Sequence, residues 1–200
     1  MKKTDVLVIG GSAAGMVVSL TGKSAYPDKS FTMIKKQKDV MVPCGIPYIY
    51  GTLDSSTLNI MPVDNMMEKA GVETMMGEVT SIDIKAKKAV LADGSDIGYE
   101  KLVIATGSYP TVPKWLKGTD KEGVYTVPKD KVYLDEMKEK LGCCKRVVVI
   151  GAGFIGVELS DEMRKIGHLV VLVEKLPNIL SLAFDEELSD KISMLLNDRG

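Results

Sequence analysis

The chain alternates short, dense apolar runs with longer stretches whose apolar positions recur at helical spacing. Residues 5–9 (Asp-Val-Leu-Val-Ile) form one such run, ending in Gly10-Gly11. A run of this length bounded by glycine predicts a parallel strand buried on both faces. Residues 12–23 read as a helix, with Gly22 near its end and Pro27 beyond it. Residues 30–34 predict a second strand, which completes a β-α-β unit with a right-handed crossover. An irregular stretch around 42–48 follows, then a short helix over 63–69 closed by Gly71. Between 72 and 99 the pattern changes. Residues 79–84 and 88–91, with a turn at Asp93-Gly94, predict short antiparallel strands. Residues 101–105 return to a buried strand, Pro110, Pro113 and Gly118 mark a connector, and 129–141 reads as a polar helix.

The opening pattern then repeats. Residues 146–150 are a buried strand running into Gly151, a helix extends to Lys165, Gly167 breaks it, and 169–174 is the next strand. Two β-α-β units starting about 140 residues apart indicate domain duplication rather than a short repeat. The second opens on Gly151-Ala152-Gly153-Phe154-Ile155-Gly156, a full G-x-G-x-x-G. Gly151 permits the tight turn, Gly153 leaves room for a pyrophosphate, and Gly156 lets helix and strand approach. The helix N-terminus then offers N–H groups to the phosphates. Glu174 ends the next strand, where a carboxylate accepts from a ribose 2′-OH and repels a 2′-phosphate, so NADH is favoured over NADPH. The first turn, Gly10-Gly11-Ser12-Ala13-Ala14-Gly15, has Ser12 at the second glycine position. Its ribose position carries Lys35 instead of an acid. Two readings stand side by side for Lys35: a solvated strand end, or an altered adenosine pocket. The turn at Ala105-Thr106-Gly107 ends a buried strand at the sheet edge where ligands of such folds bind.

The expected fold class is therefore α/β: two Rossmann-like dinucleotide-binding units with a small antiparallel β insertion. Residues 1–112 form the first domain, with the insertion at about 72–100; 113–145 are connector and helix; 146–200 begin the second domain. The second unit has only two strands before the chain ends at Gly200, which reads as a truncated chain.

Composition narrows the function classes. There are 26 basic and 27 acidic residues, a net charge of −1, so no field steers nucleic acid or an anionic membrane. No apolar run reaches membrane-spanning length, and the start lacks a signal peptide pattern. Three scattered cysteines do not describe a disulfide framework, and a cytoplasmic location is expected. Cys143-Cys144 lack metal-ligand partners and the twelve methionines read as packing, so no metal is expected. His168, in a helix-to-strand turn, reads as a surface residue, and Trp115 as a packing anchor in the connector.

Cys44 is different. It lies in Pro43-Cys44-Gly45-Ile46-Pro47-Tyr48, a setting unlike a core strand, where a helical turn can begin. Two Gly-rich turns, the Ala-Thr-Gly turn between them and one cysteine about 30 residues after the first turn resemble the pyridine nucleotide–disulfide oxidoreductases. Ile49 and Pro47 stand where Cys-x4-Cys and Cys-x2-Cys members carry their second cysteine. The single-cysteine motif is similar to that of CoA-disulfide reductases, NADH oxidases and NAD(P)H-dependent persulfide reductases. The resemblance implies FAD contacts at Gly10, Ser12, Ala13, Ala14, Gly15, Ala105, Thr106 and Gly107, with Lys35 at the ribose position and Val79 offering backbone to adenine. It implies NADH contacts at Gly151, Gly153, Ile155, Gly156 and Glu174, with Glu158 near the nicotinamide. It further implies Cys44 as the redox residue, a homodimer, and CoA as a possible substrate or mixed-disulfide partner. Two departures bear on CoA: Val40 stands where the subgroup often has serine, and Lys23 alone offers a basic residue in the first helix. The implied reaction is NADH-driven reduction of a small disulfide, persulfide or polysulfide. Oxygen or peroxide reduction through a Cys44 sulfenic acid is the enzymatic alternative, and a non-catalytic dinucleotide-binding fragment is the alternative of another class.

Overall fold

The computed structural model describes residues 2–200. They fall into two compact units. The first comprises the chain through Pro43, then Ile60–Val112 and Pro128–Lys131; the second comprises Cys44–Asn59, Pro113–Val127 and Val132–Gly200.

In the first unit, strands β1 (Lys2–Ile9) and β2 (Phe31–Lys35) flank helix α1 (Ala13–Ala25) in sequence and pair in parallel, Val6 opposite Phe31 and Ile9 opposite Ile34. Helix α2 (Val63–Lys69) leads to β3 (Glu73–Met76), β4 (Val79–Asp83), β5 (Lys88–Leu91) and β6 (Asp96–Ile104). All six strands belong to one sheet, ordered β3-β2-β1-β6-β5-β4. The apolar run of β1 is explained by burial on both faces. Leu7 and Ile9 join Ile34, Ile97, Tyr99, Ala89 and Leu91 in one cluster. Val8 joins Phe31, Met33, Val63 and Met67 in the other, with Met16 and Leu20 of α1 packed against it.

Two sequence expectations change here. The stretch from residue 72 does not form a separate antiparallel insertion throughout: β3 pairs in parallel with β2, Thr32 opposite Glu73, and only β4 and β5 form an antiparallel hairpin. That hairpin also has no sheet of its own. It continues the main sheet because β6 begins at Asp96 rather than 101, so its early residues pair antiparallel with β5 while the whole strand runs parallel to β1. Asp96, Gly98 and Glu100 interrupt the buried Ile97 and Tyr99, which hid the first half of β6 from a reading based on apolar runs.

The second unit contains α3 (Lys131–Gly142), β7 (Arg146–Ile150), α4 (Phe154–Lys165), β8 (Leu169–Val173) and α5 (Glu186–Arg199). Strands β7 and β8 pair in parallel over their full lengths. Helix α4 buries Leu159 and Met163, and α3 buries Leu134, Met137 and Leu141. Trp115 is not a packing anchor: it is 69% exposed. His168 is not a surface residue: it is 6% exposed, with Nδ1 2.9 Å from the Cys144 carbonyl oxygen. That bond joins the residue before β8 to Cys144, two residues before β7, a pairing between chain segments that no local pattern reveals.

The β-α contacts depend on glycines where no side chain fits. A Cβ on Gly15 would lie 1.8 Å from the Gly10 carbonyl oxygen, whereas one on Gly142 would meet nothing within 4 Å. Gly15→Ala is therefore expected to destabilise the protein by about 1–3 kcal/mol or more through overpacking. Gly142→Ala should be neutral or mildly stabilising. Thermal unfolding followed by circular dichroism distinguishes them; equal melting temperatures for both variants would contradict the packing argument.

Candidate functional site

The two Gly-rich turns are built alike, bond for bond. In the first, the Gly10 N–H donates to the Ile34 carbonyl at 2.8 Å; in the second, the Gly151 N–H donates to Val173 at 2.8 Å. Both glycines have positive φ, +117° and +100°, a backbone state that glycine adopts without strain. Gly156 repeats the close approach of Gly15: a Cβ on it would lie 1.9 Å from the Gly151 oxygen. Ser19 and Ser160, each four residues after the third glycine, donate back to that glycine's carbonyl at 2.7 Å.

These contacts leave the helix starts open. Ser12 and Gly153 are the N-cap residues of α1 and α4, neither supplies a side-chain cap, and neither helix has an acid in its first turn. The first N–H groups of a helix have no intrahelical acceptor, so both ends present donors and positive partial charge to an anion. Helix α5 shows the ordinary alternative: Asp185 accepts from the Leu188 N–H, and Glu186 and Glu187 occupy its first turn. A Cβ on Gly151 or Gly153 would meet nothing within 4 Å, so the space over that turn is clear for a pyrophosphate. Ala13 and Ala14 are exposed on the first turn, as are Gly153 and Ile155 on the second, and Glu158 is half-buried on α4.

In the first unit the structure gathers most of the expected positions at the C-terminal edge of β1, β2 and β6. The Ala-Thr-Gly turn backs onto Gly10: a Cβ on Gly10 would lie 2.1 Å from the Ala105 oxygen and 3.1 Å from the Thr106 nitrogen. The Ala105 N–H donates to Ile9 at 2.8 Å, and Gly107 follows with φ +75°. The Lys129 ammonium donates to the carbonyl and hydroxyl of Ser108, fixing the loop beyond. Val79 opens β4, two residues after Gly77, whose N–H donates to the Lys35 carbonyl at 3.0 Å. Lys35 itself is no solvated strand end. Its side chain is 4% exposed and pairs with Asp64 of α2 at 2.8 Å. Sequence could not settle this, because the partner lies 29 residues away.

Glu174 follows the last residue of β8, and its carboxylate is already organised. Oε2 accepts from the Ala152 N–H at 2.7 Å, and Oε1 from the N–H groups of Lys175 and Leu176. The N–H groups of Leu176 and Ala152, ahead of Lys175, hold its carboxyl below the usual carboxylate range.

Cys44 is exposed, within a three-residue 3-10 turn at Pro43–Gly45 rather than at the start of an α-helix. The segment that carries it is firmly held in the second unit. Ile49 and Tyr50 are buried, and the Tyr50 hydroxyl donates to the Leu134 carbonyl at 3.2 Å. Burial, more than the nearby charges, pushes that phenol well above its ordinary pKa. The Lys138 ammonium donates to the Leu53 carbonyl at 3.1 Å. Glu162 of α4, 2% exposed, accepts the Thr52 N–H at 2.6 Å and the Lys165 ammonium at 2.5 Å. A Cβ on Gly51 would lie 2.4 Å from the Glu162 carbonyl oxygen, and one on Gly45 2.0 Å from Asn59 Oδ1. Glu162, Tyr50 and Asn59 were missed by sequence reasoning. No local pattern marks them: Glu162 meets Thr52 across 110 residues and Tyr50 meets Leu134 across 84. Lys23, the CoA-phosphate candidate, is committed elsewhere: its ammonium donates to the carbonyls of Pro27 and Lys29, beyond the C-terminal end of α1.

Residues 4–200 match the family model described as pyridine nucleotide-disulphide oxidoreductase. The chain belongs to this family. Among curated relatives it is 30% identical to an NADH oxidase of Methanocaldococcus jannaschii, over 97% of this chain and 45% of the relative. It is 32% identical to the NAD(P)H sulfur oxidoreductase (CoA-dependent) of Pyrococcus abyssi, over 96% of this chain and 44% of the relative. The fold matches the water-forming NADH oxidase from Lactobacillus brevis bound to NADH with a TM-score of 0.86, at 28% identity, covering 98% of this chain and 45% of that one. The chain thus spans less than half the length of these proteins. No helix among the described residues is long and apolar enough to cross a membrane.

Removing the Glu162 carboxylate takes away one of the two acceptors of the Thr52 N–H, leaving the Tyr48 carbonyl at 3.0 Å, and takes the buried partner of Lys165 with it. Glu162→Ala is expected to destabilise the second unit by about 1–3 kcal/mol, the range for losing hydrogen bonds to a charged group. Amide hydrogen exchange should accelerate at Thr52 and along 44–59. Unchanged protection across that segment would show that Glu162 is not its anchor.

Proposed function

We propose that this chain binds FAD at the Gly10 turn and NADH at the Gly151 turn, and uses them to reduce a small disulfide, persulfide or polysulfide at Cys44. The observation that carries the reading is the exposed Cys44 thiol on a segment anchored to α4, the same helix that opens at the Gly151 turn. The relatives named for NADH oxidation and for CoA-dependent sulfur reduction support the same chemistry.

The residues present fit both groups. The uncapped N-termini of α1 and α4 would each take a pyrophosphate. The Ala105–Gly107 turn lies beside the first, and Val79 offers backbone near the end of β2. FAD, when bound, supplies two-electron transfer between a nicotinamide and sulfur. Glu174 would accept from the NADH ribose while keeping its three backbone donors, since its oxygens retain lone pairs. Ile155 and Glu158, on the first turns of α4, would border the dinucleotide.

Cys44 thiolate attacks the substrate disulfide, the S–S bond breaks, and one thiolate leaves. Two electrons originating from NADH then cleave the Cys44 mixed disulfide, releasing the second thiol and restoring the thiolate. No neighbouring cysteine stands in the motif to resolve that adduct, so the reductant must act on it directly. CoA would be one such thiol; a homodimer and a cytoplasmic location are part of the same reading. A second reading follows from the NADH oxidase relatives: Cys44 cycles through a sulfenic acid with peroxide or oxygen as acceptor.

In the intact protein, Cys44→Ser should abolish NADH-dependent reduction of CoA-disulfide or polysulfide while leaving flavin reduction by NADH in place. Full sulfur reductase activity in that variant would overturn the reading. Rapid NADH consumption under air, with no anaerobic turnover on disulfide, would favour the oxidase. Glu174→Gln should narrow the preference for NADH over NADPH roughly tenfold, by removing the repelling charge. Because the Glu174 carboxyl is held below its ordinary range, it stays ionised from about pH 6 to 8, and the wild-type preference should be flat there. A preference that collapses within that window, or survives the substitution, would refute the assignment.

A further inference from the structure

The matched hydrogen bonds of the two turns define an internal equivalence. Gly10 N–H meets Ile34 as Gly151 N–H meets Val173, so the next residues correspond: Lys35 to Glu174, and Gly11 to Ala152. In the second unit that position holds a carboxylate, which touches the turn through the Ala152 N–H. In the first it holds a lysine, whose aliphatic stem packs on the turn instead: a Cβ on Gly11 would lie 2.6 Å from the Lys35 Cβ. The charge is reversed at the one place where the duplicated fold needs an acceptor.

The lysine brings an acid with it. Its ammonium leaves the strand end, donates to the Lys38 carbonyl at 3.0 Å and pairs with Asp64 at 2.8 Å. Asp64 lies in the first turn of α2, and α2 runs back to β3, a strand parallel to β2. The N-terminus of such a crossover helix lies at the C-terminal edge of the sheet, the ligand edge. Lys35 is buried and Asp64 is 62% exposed. A carboxylate fixed on one side by a buried cation and open on the other is arranged to accept hydroxyl hydrogens from outside.

We propose that Asp64 is the ribose-binding carboxylate of the first dinucleotide turn, receiving the vicinal hydroxyls of the FAD adenosine, with Lys35 as its positioning residue. The proposal rests on the reading that this turn takes FAD. Asp64 thereby does from a helix what Glu174 does from a strand, and Lys35 neutralises the helix carboxylate without competing for the ribose.

The test is reconstitution of the flavin-free full chain with FAD and with an FAD analogue lacking the 2′- and 3′-hydroxyls of the adenosine ribose, following flavin fluorescence. Wild type should prefer FAD roughly ten- to hundredfold, the range for hydrogen bonds to a charged group. Asp64→Asn should lose most of that preference by weakening FAD and not the analogue. Lys35→Met should lose part of it, since Asp64 is then unheld. Lys35→Glu combined with Asp64→Asn should restore it by returning the acid to the strand end. A preference that survives Asp64→Asn, or equal weakening of both ligands, overturns the proposal and leaves the FAD reading standing. If wild type binds no FAD while binding NADH, the reading of the first turn fails and the proposal with it.

Discussion

The structure depends on a close approach that only a residue without a Cβ allows. At Gly15 and at Gly156 the first turn of a helix presses against the carbonyl of the glycine that ends the preceding strand. That contact sets how near helix and strand can come. It also fixes where the helix points, with its N-terminus over the strand end and its unpaired N–H groups directed outward. Burial of Leu7, Val8 and Ile9 on both faces of the sheet, and the serine bonds that close each first turn, reinforce a geometry already imposed there.

From that shared base the two units differ at the residue that follows the paired carbonyl of the second strand. The second keeps a carboxylate at the strand end, bound by three backbone donors and so charged at neutral pH. The first replaces it with a lysine, and a buried lysine is tolerable only when paired. Asp64 is the pairing. A buried lysine at the strand end thus needs an acid within reach, and the two positions must be read together.

Much of this was legible in the sequence, for a physical reason. The first β-α-β unit announces itself because burial of β1 and β2 on both faces produces unbroken apolar runs, and both units because the turn geometry demands glycine at fixed spacing; β7, expected to be buried, and β8 carry the same apolar runs with Val148, Ile150, Val171 and Val173 about half exposed. The boundaries of α1, α2 and α4 follow from local propensity and punctuation. What stayed hidden depends on contacts distant in sequence. Early β6 sets the buried Ile97 and Tyr99 between Asp96, Gly98 and Glu100, so it shows no apolar run. Lys35 meets Asp64 across 29 residues, Thr52 meets Glu162 across 110, and His168 meets Cys144 across a strand pairing. Trp115 shows the converse: a large apolar side chain suggests burial, yet in a Pro- and Gly-punctuated connector nothing obliges the chain to cover it.

Cys44 is where local and distant information combine. Its motif marks it as unusual, and the prolines and glycine around it explain the short 3-10 turns. Neither explains why the segment holds a fixed shape. That comes from Glu162, Lys138 and the Leu134 carbonyl, which clamp residues 50–53 to helices α3 and α4 while the thiol itself stays exposed. A thiol that must meet a small substrate, form an adduct and then be reduced needs access and a constant position at once. Burying the thiol would give position without access, and a free loop would give access without position. Anchoring the chain on the far side of the turn, through backbone groups and a buried carboxylate, gives both. For that reason the proposed chemistry should depend on Glu162 as a positioning residue, although it never touches sulfur.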